Sequence, residues 1–121
     1  MDLSIVIVTY NGRDITLQTL RSYAAAIRAD EAHRYEIIVV DNASRDGVAD
    51  AIVDEFPNLH MIRNADNLGF AVAGNMGFRA SSGRYVLSSN PDIEVNAETL
   101  PTLIGLMDAD PTVAVSGVAS G

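Results

Sequence analysis

Two runs rich in β-branched residues, "SIVIV" at Ser4–Val8 and "YEIIVVD" at Tyr35–Asp41, constrain this chain more than any other feature. Both are too short for helices, and the first is apolar at nearly every position, which suits a strand buried on both faces of a parallel sheet. The segments after them carry helical signals. Asn11 stands as a helix cap with Asp14 three positions on, and Leu17, Leu20, Ala24 and Ile27 then recur at helical spacing. After the second run, "NASRDG" leads into a helix over roughly Val48–Glu55, stopped before Pro57.

The alternation continues. Leu59–Arg63 reads as a third strand, and the loop "NADNLG" (Asn64–Gly69) precedes "FAVAGNMGFRA", a helical pattern holding Gly74 and Gly77. Glycine within a helix costs about 1 kcal/mol relative to alanine, so both are expected to allow close approach of a neighbouring backbone or ligand. Arg84–Leu87 is the fourth strand. A helix starting between Asn96 and Thr99 runs to about Met107, with Pro101 in its first turn, and Thr112–Gly117 is a last strand. Strands alternating with helices imply parallel pairing through right-handed crossovers. The expected fold is therefore a single α/β domain of Rossmann type, with a mostly parallel sheet and helices on both faces.

Ligands of such sheets bind at the carboxyl ends of the strands. Polar clusters fall at these ends: Thr9-Tyr10-Asn11, Asp41-Asn42-Ala43-Ser44 and Asn90-Pro91-Asp92. Asp41 sits where nucleotide folds commonly place an acid for a ribose or base, although "DNAS" is also rich in helix-capping residues. Neither G-x-G-x-x-G nor G-x-x-x-x-G-K-[ST] occurs, which disfavours dinucleotide enzymes and P-loop nucleotidases. If a nucleotide binds without a glycine loop, a divalent cation is the usual means of neutralising its phosphates. Mg2+ or Mn2+ needs only one or two carboxylates, so Asp92 with help from Asn90 would suffice; the alternative is that "NPD" is an ordinary Asn-Pro turn.

Composition narrows the partners. The chain has 121 residues, 48% of them hydrophobic, a net charge of -8, and eight basic residues that are all arginine, which excludes an extended nucleic-acid footprint. No apolar run is long enough to cross a bilayer, and an acidic residue follows the first methionine where a signal peptide carries positive charge. A cytoplasmic location is expected, at most peripheral to the inner membrane face. With no cysteine, any metal must be held by oxygen or imidazole. His33 and His60 lack companions at ligand spacing and read as structural or exposed, and Tyr23, Phe56 and Phe78 read as core. Arg63 and Arg79 could face a phosphate, while Asp108 and Asp110 read as solvated.

The segments "SIVIVTYNG", "EIIVVDNASRDG", "NADNLGFAVAGNMG" and "VLSSNPDIEV", in this order, resemble the nucleotide-binding half of family 2 inverting glycosyltransferases, which have the GT-A fold. The likeness runs from about Leu3 to Gly117, and "NPDI" is similar to the variant in rhamnosyltransferase-like members. The resemblance implies a three-layer GT-A sheet in which Thr9, Tyr10 and Asn11 line the nucleotide pocket and Asp41 bonds a uracil or thymine ring. It further implies that Asn67, Gly69 and Asn75 lie along the diphosphate and sugar, and that Asp92 matches the last acid of the metal-binding D-x-D motif. Asn90 replaces the first acid of that motif and counts among the nucleotide contacts.

The implied reaction transfers a sugar from a UDP- or dTDP-sugar to an acceptor hydroxyl with inversion, in bacterial polysaccharide or cell-wall glycan synthesis. On this reading residues 1–121 form the donor half, and the catalytic base and the half that takes a glycan or lipid-linked acceptor are expected beyond Gly121. Sheet edge and helix surface left uncovered would then favour a homo-oligomer. The alternatives are a non-catalytic nucleotide-binding or assembly module and, from architecture alone, another Rossmann-like enzyme such as a methyltransferase.

Overall fold

A computed structural model describes residues 1–110. The elements are β1 (Leu3–Thr9), α1 (Arg13–Ala29), β2 (Tyr35–Asp41), α2 (Val48–Glu55), β3 (His60–Arg63), α3 (Phe70–Ala80), β4 (Tyr85–Ser89) and α4 (Thr99–Ala109). The four described strands form one parallel sheet in the order β3-β2-β1-β4. β1 is central and every one of its residues is buried.

Side-chain alternation along β1 divides the core into two layers. Leu3, Ile5 and Ile7 pack with Val39 and Leu87 under α1, α2 and α4, whose contributions include Leu17, Leu20, Tyr23, Ile52, Leu100 and Ile104. Val8 and Val40 point to the other face, where they meet Ala73 of α3. The chain moves from β1 outward to β3 with its crossovers on one face, then returns past them to β4. A right-handed crossover on the return places α3 on the opposite face.

Gly77 shows why α3 can lie so close. A Cβ there would fall 2.3 Å from Val6 Cγ1, so only glycine lets the helix settle onto β1. Gly74 differs: nothing lies within 4 Å of its would-be Cβ, so close approach of a neighbouring element holds at Gly77 and not at Gly74.

Several expectations are corrected by the packing. Asn11 does not cap α1. Gly12 occupies that position, and the backbone N–H of Arg13 is taken instead by Asp46 Oδ2 of the β2–α2 loop at 2.9 Å. Phe78 is 61% exposed rather than core, because it stands in an open groove between α3 and β4, whereas Tyr23 is fully buried and Phe56 packs half-buried against the larger core layer. β4 runs on to Ser89, since Ser88 and Ser89 continue in register beside Val6 and Ile7, and β3 starts at His60. α4 begins at Thr99, within the range expected, with Asn96 Oδ1 accepting from the backbone N–H groups of Glu98 and Thr99. Asp108 is more than a solvated acid: it takes hydrogen bonds from Arg84 and Tyr85, tying α4 to the start of β4. The strand expected at 112–117 lies outside the described residues.

Candidate functional site

Strand register brings the three polar clusters to one edge. Thr9 pairs with Asp41 and Asp41 with Arg63, so β1, β2 and β3 end level, while β4 ends with Ser89 opposite Ile7. The turn Asn90-Pro91-Asp92 therefore begins beside the end of β1. Between them opens a cleft of about 520 Å3, walled by Val8, Thr9, Tyr10, Gly12, Ile15 and Thr16 on one side, and by Asn90, Pro91 and Asp92 on another. Asn42, Asn67 and Phe70 close it. Tyr10, Ile15 and Phe70 are each more than half exposed, so large side chains with apolar faces stand at a cleft that also presents Thr9, Asn42, Asn67, Asn90 and Asp92. This combination suits a ligand with a flat ring and polar groups.

The loops that form the cleft are fastened to each other. The backbone N–H of Asn11, whose φ of 52° lies in the left-handed region tolerated by asparagine, donates to Ser44 Oγ at 2.8 Å. Its side-chain oxygen in turn accepts from the Arg45 N–H at 2.7 Å. Asn42 is 2% exposed and acts as a hub: Nδ2 donates to the Gly69 carbonyl at 3.1 Å, and Oδ1 accepts from Asn64 Nδ2 and from the Leu68 N–H. Gly69 adopts φ 85° and ψ 163°, a conformation essentially confined to glycine, and thereby turns the loop into α3.

Of the residues singled out from the sequence, Thr9, Tyr10, Asn67, Asn90 and Asp92 line the cleft together. Thr9 is buried, its hydroxyl sharing a 2.9 Å hydrogen bond with Thr16. Asp41 is 5% exposed and its Oδ1 accepts from the Ser44 N–H, so it does brace its own loop. The Ser44 that it braces borders a neighbouring depression of about 430 Å3, whose walls also include Tyr10, Ala43, Arg45, Asn64 and Asn67 and which adjoins the cleft through Tyr10 and Asn67. Gly69 sets the loop rather than the cleft wall, and Asn11 joins the β1–α1 and β2–α2 loops. Asn75 is apart, in a groove between α3 and β4 with Val6, Phe78, Val86 and Ser88. Arg63 pairs with Asp50 at 2.9 Å instead of facing the cleft. Asn42, Ile15, Thr16 and Phe70 were not singled out as site residues. Asn42 stands beside Asp41 in "DNAS", but its hub role depends on loops 22 to 27 residues away.

The donor set can be tested against a divalent cation. Among the described residues no group of three or more histidine, cysteine or acidic side chains could enclose a metal. Asp92 is exposed at the cleft and forms no ion pair with a described residue, and the Asn90 side chain adds a neutral oxygen. One carboxylate and one amide oxygen fit Mg2+ or Mn2+, which take most of their ligands from phosphate and water, and do not fit an all-protein cage.

The sequence model of glycosyl transferase family 2 matches residues 4–120. The chain belongs to glycosyl transferase family 2. Among curated relatives of this family 2 chain, TuaG of Bacillus subtilis, a glycosyltransferase assigned to teichuronic acid biosynthesis, is 32% identical over 96 residues, covering 74% of this chain and 35% of its own. Two solved structures share the architecture. Staphylococcus aureus TarS 1–349 in complex with UDP-GlcNAc superposes with a TM-score of 0.77 and 26% identity, over 90% of this chain and 32% of that one. The mannosyltransferase PcManGT of Pyrobaculum calidifontis, in complex with GDP-Man and Mn2+, gives 0.77 and 27% over 92% and 33%. The family 2 chain spans about a third of the length of TuaG and of the Pseudomonas fluorescens undecaprenyl-phosphate 4-deoxy-4-formamido-L-arabinose transferase that it also matches.

Proposed function

We propose that this family 2 chain is the donor-binding half of a glycosyltransferase that takes a UDP- or dTDP-sugar and passes the sugar to an acceptor hydroxyl with inversion, in bacterial polysaccharide or cell-wall glycan synthesis. The observation that carries the reading is the exposed Asp92 carboxylate facing, across one cleft, the ends of β1 and the Asn67 loop. On this reading a pyrimidine ring occupies the depression between Tyr10 and Asn64, beside the loop that Asp41 braces, and its diphosphate extends past Asn67 toward Asn90 and Asp92. The "NPDI" turn, similar to the variant in rhamnosyltransferase-like members, supports a place in that branch of the family.

The chain's own residues supply binding and orientation. Tyr10 offers a ring face and Asn67 an amide donor for a diphosphate oxygen, and Asp41, with one oxygen taken by the Ser44 N–H, keeps the other as an acceptor for a ring N–H. Asp92, assisted by Asn90, would hold Mg2+ or Mn2+, which when bound neutralises charge developing on the departing diphosphate. In the transfer the acceptor oxygen bonds to the anomeric carbon, the bond from that carbon to the diphosphate oxygen breaks, and the acceptor's proton passes to a base. No residue of the cleft is assigned as that base. The same reading places the chain in the cytoplasm, peripheral to the membrane, and its uncovered α3 side in contact with a second copy or the acceptor half. Among the described residues no helix is long and apolar enough to cross a membrane.

Calorimetric titration with UDP, dTDP and GDP, each with and without Mn2+, tests the proposal. Pyrimidine nucleotides should bind, Mn2+ should tighten them, and Asp92→Ala should abolish the metal effect. A preference for GDP would reassign the donor, and failure of every nucleotide to bind would overturn the reading.

A further inference from the structure

The inner face of α1 carries hydroxyls where a buried helix face ordinarily carries only apolar groups. Thr16, Thr19 and Tyr23 are all at most 1% exposed. Buried hydroxyls are costly unless hydrogen-bonded, so the partners they have found are informative. Thr16 meets Thr9 at the end of β1, while the other two reach the turn after β4. Thr19 Oγ1 donates directly to the Pro91 carbonyl at 2.8 Å. Tyr23 Oη donates to Ser89 Oγ at 2.6 Å, and Ser89 Oγ donates in turn to the Asn90 carbonyl at 3.1 Å.

These two carbonyls belong to the peptides on either side of Pro91. The Pro91 carbonyl lies in the peptide that ends at the Asp92 nitrogen, so holding it sets the plane from which the Asp92 side chain departs. The Asn90 carbonyl is likewise held from below, through Ser89. Beyond the turn, Ile93 is buried in the core, and Ser22 Oγ accepts from the Val95 N–H at 3.2 Å. α1 therefore grips the segment Ser89–Val95 from beneath at successive points and leaves Asn90 and Asp92 exposed above.

We infer that Thr19 and Tyr23 are positioning residues for cation binding: by holding the Asn90 and Pro91 carbonyls they preset the Asp92 carboxylate, an inference that rests on the reading of Asp92 as a metal ligand. A side chain that must hold a cation with one carboxylate gains most from a rigid backbone beneath it, and partners that orient a metal ligand commonly alter affinity strongly. An ordinary turn exposed to solvent would not need two buried hydroxyls from a helix more than sixty residues earlier.

The test compares wild type, Thr19→Val, Tyr23→Phe, Thr19→Ser and Asp92→Ala, titrating Mn2+ by electron paramagnetic resonance in the presence of UDP and following amide exchange across residues 89–95 without metal. Thr19→Val and Tyr23→Phe should each weaken Mn2+ roughly tenfold and accelerate exchange in the turn, while exchange in β1 and β2 stays at the wild-type rate. Thr19→Ser should stay within about twofold of wild type, since it keeps the hydroxyl. Unchanged Mn2+ affinity in both hydroxyl-deleted variants, beside lost binding in Asp92→Ala, would overturn this inference alone. A wild type that takes up no Mn2+ would overturn the proposed metal site and the inference with it.

Discussion

The side-chain amide of Asn42 donates to the carbonyl of Gly69 at 3.1 Å, joining the end of β2 to the first residue before α3 across 27 positions of sequence. The same side chain accepts from Asn64 and from the Leu68 N–H. Asn42→Ala would leave these polar groups without their partner, and we expect a loss of about 2–3 kcal/mol in urea unfolding. Because the Asn67 loop depends on this hub, nucleotide affinity measured by calorimetry should fall as well. Asn42→Ala with unchanged stability would show that water replaces the amide freely.

The two glycines of α3 make opposite predictions. Gly77→Ala drives a methyl into Val6, and overpacking of this kind costs about 1–3 kcal/mol. Gly74→Ala meets nothing within 4 Å and should stabilise by up to about 1 kcal/mol through helix propensity. Thermal melts of the two single variants, run side by side, check both signs.

Asp41→Asn separates bracing from recognition. The amide keeps an oxygen for the Ser44 N–H, so the melting temperature should change little. Replacing the second acceptor by a donor should weaken UDP roughly tenfold, about 1.4 kcal/mol, while leaving GDP as it was. Equal effects on both nucleotides would remove Asp41 from base recognition.

Glu36 makes stability depend on pH. Burial raises its carboxyl, but hydrogen bonds from Ser4 Oγ and from the Ser82 N–H and hydroxyl together outweigh that and hold it below its ordinary 4.5. A folded value below the unfolded one means that the stabilisation is complete above pH 4.5 and is lost as pH falls through the folded value. Melts of wild type and Glu36→Gln between neutral and acid pH should converge as the pH drops. Parallel curves would assign the acid sensitivity elsewhere, with the Asp108 carboxyl, lowered first by Arg84 and then by Tyr85, the next candidate.

Much of the architecture could be read along the chain because it rests on local physics. β-branched runs without polar alternation mark β1 and β2 as strands covered on both faces, and helix-forming segments between strands require parallel crossovers. The strand-end clusters carrying Thr9, Asp41 and Asp92 followed from the same logic, since a parallel sheet collects its carboxyl ends on one side. Which strands are neighbours, and that Asn90 turns beside Thr9, was decided only by tertiary packing. No periodicity distinguishes β4 next to β1 from β4 next to β3. The helix cap read at Asn11 and the core position read at Phe78 fail for that reason: Asn11 Oδ1 accepts instead from the Arg45 N–H, and Phe78 lines the open groove between α3 and β4 that also holds Asn75. The hydroxyls of Thr19 and Tyr23 sit in a helical stripe that sequence shows well enough. That they reach the carbonyls beside Asp92 is a fact of long-range contact, fixed by how α1 lies across β1 and β4, and hydrogen bonds between residues 66 to 72 positions apart leave no trace in local pattern.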